Sequence, residues 1–225
     1  MCGVANSFGD WDGLLFMNLY QFPLSPNCQK VVAIAHEVGV PLTLVNLDVF
    51  RGGAKTSEML AKNPNGRIPV LEDGDFVLWE SNAMLGYIAT KAGRTDLAPT
   101  TLRERADVDR WLAWSNAHFA PAVRKVAFER IVKKLAGLGA PDEAVIEAGI
   151  EEFGAVAAVL DRCLEGRDYL CGKLTVADFA SITYAALCET AGLNLGPHRN
   201  VQRWLGRMME RDSLRRTFAA AREAA

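Results

Sequence analysis

Residues 63–83, Asn63-Pro64-Asn65-Gly66-Arg67-Ile68-Pro69-Val70-Leu71-Glu72-Asp73-Gly74-Asp75-Phe76-Val77-Leu78-Trp79-Glu80-Ser81-Asn82-Ala83, hold a chain breaker, two strands and a helix start in one short run. Asn63-Pro64-Asn65-Gly66 ends whatever regular structure precedes it. Residues 68–72 and 76–79 are apolar runs around Asp73-Gly74-Asp75, which reads as a hairpin. Pro69 has no N–H to give a ladder, so it belongs at the start of a strand. A cis Ile68–Pro69 bond would turn the Ile68 backbone groups into a cleft. A trans proline at a strand edge is the plainer alternative, since roughly 5% of X–Pro bonds are cis. Glu80-Ser81 then opens a helix over 81–92, with Gly93 beyond it.

Upstream, residues 19–22 read as a strand. Val31, Ile34, Ala35 and Val38 recur at helical spacing within 26–39, closed by Gly39. A second strand covers 42–47 and a short helix 55–62. The order is therefore β-α-β-α-β-β-α over 17–93. Residues 1–16 show no sustained period and are expected to be a poorly tied N-terminal extension.

Downstream, 94–100 is a linker containing Asp and Pro. Beyond it, 101–225 reads as all-helical, with helices over 101–136, 142–165, 175–192, 200–211 and 213–223. Thr175 and Asp178 stand at the N-cap and N3 positions of a capping box, and Leu174 and Phe179 at those of a hydrophobic staple. The fold class is α+β.

A chain of 225 residues can bury a core without staples. With 25 basic and 27 acidic residues, net −2, it lacks the basic excess of a general nucleic-acid binder. No apolar stretch is long enough to span a membrane, and no secretory leader is read at the N-terminus. The five cysteines are odd in number and widely spaced, with no CxxC pair, which speaks against a disulfide framework or a zinc site and for a reducing cytosol. His36, His118 and His198 are far apart, so no metal is expected.

Three places could carry chemistry. Pro26 at the first helical position puts Ser25 at the N-cap, at the positive end of a helix dipole, where a thiolate or another anion is stabilised. Ile68-Pro69 could expose backbone groups. Glu80-Ser81 could hold an ammonium and a carboxylate. Taken singly, both serines are ordinary caps.

Their order and spacing resemble the glutathione transferase superfamily, in a bacterial-type form with a Ser/Asn catalytic loop. Ser25-Pro26-Asn27-Cys28 looks like the catalytic loop, and Asn63–Leu71 like the segment with the family's cis-proline. Glu80-Ser81-Asn82-Ala83 looks like the glutathione motif, and Leu174–Phe179 like the capping motif of the helical domain. The resemblance implies a thioredoxin-like domain followed by an all-α domain, glutathione as co-substrate with no other cofactor, and a homodimer. It implies that Ser25 stabilises the thiolate with help from Asn27. Ile68, beside Pro69, would bind the cysteinyl backbone, Glu80 and Ser81 the γ-glutamyl end, and Arg67 a carboxylate. Tyr20, five residues before Ser25, is expected to be packed within its strand.

A pocket for a small hydrophobic electrophile is expected between the domains, from Leu24, Trp111, Trp114, Ser115, His118 and Phe119. Trp111, Trp114, Ser115 and His118 follow i, i+3, i+4, i+7 spacing. A buried interdomain or dimer face is an equal alternative for them. Two other functions stay open. One is thiol–disulfide exchange at Cys28, which the burial tendency of free cysteine disfavours. The other is a non-catalytic binding module of the same fold.

Overall fold

The computed structural model describes residues 17–223, so the expected extension 1–16 lies outside the described residues. The chain begins with β1 (Met17–Gln21), α1 (Pro26–Val38), β2 (Leu42–Asn46), α2 (Ser57–Lys62), β3 (Val70–Asp73), β4 (Phe76–Trp79) and α3 (Ser81–Lys91). The sheet order is β2-β1-β3-β4, with β1 parallel to β2 and antiparallel to β3, and β3 antiparallel to β4. Leu19 stands opposite Leu44 on one side and Leu71 on the other. Alternation along β1 turns Met17, Leu19 and Gln21 inward. This is the thioredoxin-like arrangement that the resemblance implied, on the element order read from the sequence.

Local chemistry sets the ends. Gly39 ends α1 in the left-handed region at φ 72°, and its N–H reaches back to the helix carbonyls. Gly74 and Asp75 make the two-residue connection of the hairpin, with Gly74 at φ 63°. Strand β3 begins at Val70, two residues later than expected. The Ile68–Pro69 bond is cis, and Pro69 has no N–H for the ladder.

The remainder is helical: α4 (Leu102–Trp114), α5 (Ala120–Ala127), α6 (Lys133–Ala136), α7 (Glu143–Cys163), α8 (Val176–Ala191), α9 (Arg199–Met209) and α10 (Asp212–Glu223). The helix expected over 101–136 is one path interrupted by two π-turns, Ser115–Phe119 and Phe128–Val132. Pro121 supplies a reason for the first, because it cannot donate back into the ladder. Ala120 N–H instead bonds the Ser115 carbonyl five residues behind it. The extra residue rotates everything beyond it relative to α4.

The two halves share one apolar core. Helix α1 packs against α3, α8 and α10, so little of its surface meets water. Trp204, Phe119, Phe179 and Ile34 are all buried, each worth roughly 1.5–3 kcal/mol of transfer free energy. Thr175 and Asp178 form the capping box of α8. The buried Asp178 carboxylate accepts from the Leu170 and Thr175 N–H groups, each at 3.0 Å, and from the Trp204 indole at 2.9 Å. Desolvation still raises its pKa to about 6. Among the described residues, no helix is long and apolar enough to cross a membrane, and no three His, Cys, Asp or Glu side chains converge as a metal site would require.

Candidate active site

A cleft of about 270 Å³ opens where α1, the loop before β3 and the start of α3 face α5 and α8. It is lined by Asn27, Asn63, Arg67, Ile68, Pro69, Glu80, Ser81, Asn116, Ala120, Arg124 and Tyr184. Six of the candidates read from the sequence are therefore brought together: Asn27, Arg67, Ile68, Pro69, Glu80 and Ser81.

Each wall has a local cause. Asn63 is buried, donates to the Arg67 carbonyl at 2.7 Å and accepts from Asn65 at 2.9 and 3.1 Å, which shapes the loop carrying Arg67. Glu80 precedes α3 at φ 73°. Among the described residues it is the one non-glycine residue with positive φ, a strained placement of a kind concentrated at functional sites. Its side chain is exposed on the cleft. Ser81 is buried, and its hydroxyl donates to Asn27 Oδ1 at 3.3 Å. The same oxygen accepts from the Tyr184 hydroxyl at 3.1 Å.

Ser25 is the N-cap of α1, but its hydroxyl makes no cap bond and it is not among the residues lining the cleft. Cys28, one turn in, is fully buried. Burial pushes its thiol up to about 11, outweighing a backbone hydrogen bond with Phe22 and the nearby Ser25 hydroxyl. Such a thiol is a poor nucleophile at neutral pH. Tyr20 does not reach the cleft. Its hydroxyl donates to Glu72 at 2.6 Å, and that bond raises its pKa.

Of the residues expected in a second pocket, Trp111 and Ser115 take the alternative given for them, a buried face. Ser115 is fully buried, and its hydroxyl donates to the Ala180 carbonyl at 3.1 Å. Trp111 is buried too, and its indole N–H finds no partner among the described residues. Trp114 is half-buried, stacked on the buried Phe119 at 5.7 Å, while His118 is exposed. Leu24 is half-buried and does not line this cleft. The π-turn is the reason. It breaks the i, i+7 relation between Trp111 and His118 and brings Asn116, Ala120 and Arg124 to the cleft instead.

Asn116, Arg124 and Tyr184 were not singled out from the sequence. The i, i+4, i+8 spacing of Asn116, Ala120 and Arg124 was the available signal. Tyr184 is hidden in the apolar run of α8. Also unforeseen is Lys30, fully buried in α1. Its ammonium donates to Asn82 Oδ1 at 2.6 Å, and Asn82 Nδ2 donates to the Leu112 carbonyl at 2.8 Å. Desolvation lowers its pKa to about 7, with Glu80 and Cys28 pulling upward and Arg124 adding to the fall.

Two guanidinium groups and one carboxylate thus face a cleft that also offers the Ile68 backbone, the Asn27 amide and the first turn of α3. That set suits a zwitterionic ligand with more acid than base.

The family model for the glutathione S-transferase N-terminal domain matches residues 19–96, and that for the C-terminal domain matches residues 114–212. The chain is 36% identical over 212 residues to glutathione S-transferase 3 of Zea mays, covering 91% of this chain and 94% of that one. It is 30% identical over 200 residues to glutathione S-transferase GstB of Escherichia coli (strain K12), covering 85% and 92%. Among solved structures, glutathione S-transferase-I bound with lactoylglutathione superposes with a TM-score of 0.83 at 27% identity, covering 91% of this chain and 99% of that one.

Proposed function

The chain belongs to the glutathione S-transferase family and is a transferase, and from that premise we propose that the cleft binds glutathione and holds its sulfur as a thiolate. Glutathione carries two carboxylates and one ammonium. Glu80 takes the ammonium, while Ser81 and the N-terminus of α3 take the γ-glutamyl carboxylate. Arg67 and Arg124 face the remaining negative charge. The Ile68 backbone pairs with the cysteinyl residue. The observation that carries this reading is the convergence of Arg67, Ile68, Glu80, Ser81 and Asn27 on one cleft. A structural neighbour bound with lactoylglutathione supports it.

The chemistry follows from electrostatics. A free thiol with a pKa near 8.5 is only a few per cent ionised at pH 7. The Asn27 amide on the cleft wall and the N-terminus of α1 favour the anion. The N-cap Ser25, whose hydroxyl makes no cap bond and which does not line the cleft in this structure, is proposed to turn toward the bound sulfur, so the thiol loses its proton to water more readily. The sulfur lone pair then attacks an electrophilic carbon. A C–S bond forms as the leaving group departs with its electron pair, or as the electrons move into an activated double bond. We take the second substrate as a small hydrophobic electrophile, and conjugation of this kind as detoxification.

A homodimer, which the resemblance implies, is part of the proposal. A cytoplasmic setting is supported by Cys28, Cys163, Cys171 and Cys188, all free thiols. The test is Ser25→Ala and Asn27→Ala, assayed for conjugation of an activated aryl halide beside glutathione affinity. Both variants should lose at least about tenfold in rate, a loss of at least about 1.4 kcal/mol of transition-state stabilisation, with affinity nearly unchanged. Wild-type rates in both would remove the thiolate role of this loop.

A further inference from the structure

Helix α8 lies far along the chain from the Ser25–Cys28 loop, yet two of its consecutive residues grip that loop. Thr183 Oγ1 donates to the Pro26 carbonyl at 3.0 Å, and the Tyr184 hydroxyl donates to Asn27 Oδ1 at 3.1 Å. Tyr184 is 1% exposed, and its ring is fixed in the core while its hydroxyl reaches the cleft wall.

The structure fixes the Asn27 carboxamide with its oxygen toward Tyr184. A carboxamide has one accepting end and one donating end. Two hydroxyls, those of Tyr184 and Ser81, converge on the accepting end. The donating end, Nδ2, has no partner among the described residues and lies on the residue that lines the cleft, where an anion would meet it. A reversed amide would present an oxygen to the thiolate, which repels it, and would turn both hydroxyls into acceptors. Tyr184 keeps the proton it donates, because burial pushes its phenol up to about 12. Ser81 is the weaker lock, since its bond is longer and its hydroxyl is also placed to turn toward a ligand carboxylate. When it turns, Tyr184 alone holds the amide.

We propose that Tyr184 is a positioning residue for the transferase reaction: by holding Asn27 Oδ1 it presents the Asn27 Nδ2 group to the glutathione sulfur. This rests on the reading of the cleft as a glutathione site. The second domain thereby enters the thiol-activating step without touching the sulfur.

The test uses the full-length protein, glutathione itself, and ultraviolet titration of the bound thiolate beside calorimetric affinity. Tyr184→Phe keeps the ring and removes the donor. It should leave glutathione affinity within about twofold, raise the pKa of the bound thiol by about half to one unit, and lower the rate at pH 6.5 by roughly three- to tenfold, with recovery at high pH. A merely structural role would not shift the pH profile. The double variant Tyr184→Phe/Asn27→Ala should match Asn27→Ala alone, because the tyrosine acts through the asparagine. An unshifted thiol pKa in Tyr184→Phe, or additive effects in the double variant, would overturn the proposal. If Tyr184→Phe does not fold, Asn27→Asp serves. The neutral Asn27→Leu is used beside it: it removes the NH2 group without adding a charge, so it must raise the thiol pKa, and an unchanged value overturns the proposal equally. A wild-type protein that binds glutathione with an ordinary thiol pKa would instead sink the glutathione-activation reading itself, so the two failures are distinguishable.

Discussion

Replacing Lys30 by Met should remove a specific pH dependence of stability. Lys30 is fully buried, and its one hydrogen bond among the described residues runs to Asn82, which in turn ties α3 to the Leu112 carbonyl of α4. The groups that act on its charge are Glu80 and Cys28, which favour it, and Arg124, which opposes it, but burial outweighs them and brings the pKa down from 10.5 to about 7. In the unfolded chain the amine keeps its proton up to about pH 10.4. Between pH 7 and that value the unfolded state binds more protons, so stability rises with pH and is lost as pH falls toward 7. One proton corresponds to about 1.4 kcal/mol per pH unit, or about 2–3 kcal/mol between pH 7 and 9. Lys30→Met keeps the long stem and deletes the charge. It orphans Asn82 Oδ1 at a cost of about 1–3 kcal/mol, and it abolishes this slope. Urea unfolding of both proteins at pH 7, 8 and 9 measures the difference, because every other titrating group is common to them. Parallel stability profiles would refute the reasoning, since they would mean that Lys30 holds its proton in the fold as it does in water.

Three further outcomes are expected. Asp178→Asn should destabilise by about 1–3 kcal/mol, because an NH2 group then opposes one of three donors. The wild-type carboxyl, raised to about 6, contributes most at low pH and loses that contribution as pH rises through 6, so the penalty read by thermal melts should shrink from pH 4 to pH 7. Cys28→Ala should keep conjugation activity, and mass spectrometry after exposure to glutathione disulfide at pH 7.5 should find no adduct on Cys28 in the wild type; an adduct would revive thiol exchange. Arg67→Ala and Arg124→Ala should each weaken glutathione binding about tenfold by calorimetry, as the loss of a charge-assisted hydrogen bond of at least about 1.5 kcal/mol predicts. Unchanged isotherms would free those guanidinium groups from the ligand.

The element order of the first half was legible because its markers are local. Gly39 ends a helix, Gly74 turns a hairpin, and Pro26 starts a helix, whatever happens elsewhere in the chain. The capping box at Thr175 and Asp178 was legible for the same reason. The shared position of Arg67, Ile68, Glu80 and Ser81 was foreseen through a resemblance, since separate loops converge only in three dimensions. The face of the path from α4 to α5 was misread because regular 3.6-residue spacing was carried through a π-turn that Pro121 accompanies. Tyr184 and Lys30 were invisible for a different reason. Lys30 follows the polar Asn27 and Gln29 and Tyr184 follows Ser181 and Thr183, so nothing in the pattern marks either as special, and the partner each meets, Asn82 or Asn27, lies on another helix. Periodicity places a residue inside the fold but does not name what it will meet there.

The central claim is that the cleft between α1, α3, α5 and α8 ionises the thiol of bound glutathione. It is tested most directly by calorimetric titration with glutathione, run beside ultraviolet measurement of the thiolate of the bound ligand across pH. The account predicts saturable binding and a bound thiol that ionises at least about one unit below its free value near 8.5. Binding with an ordinary thiol pKa, or no binding at millimolar glutathione, would contradict it.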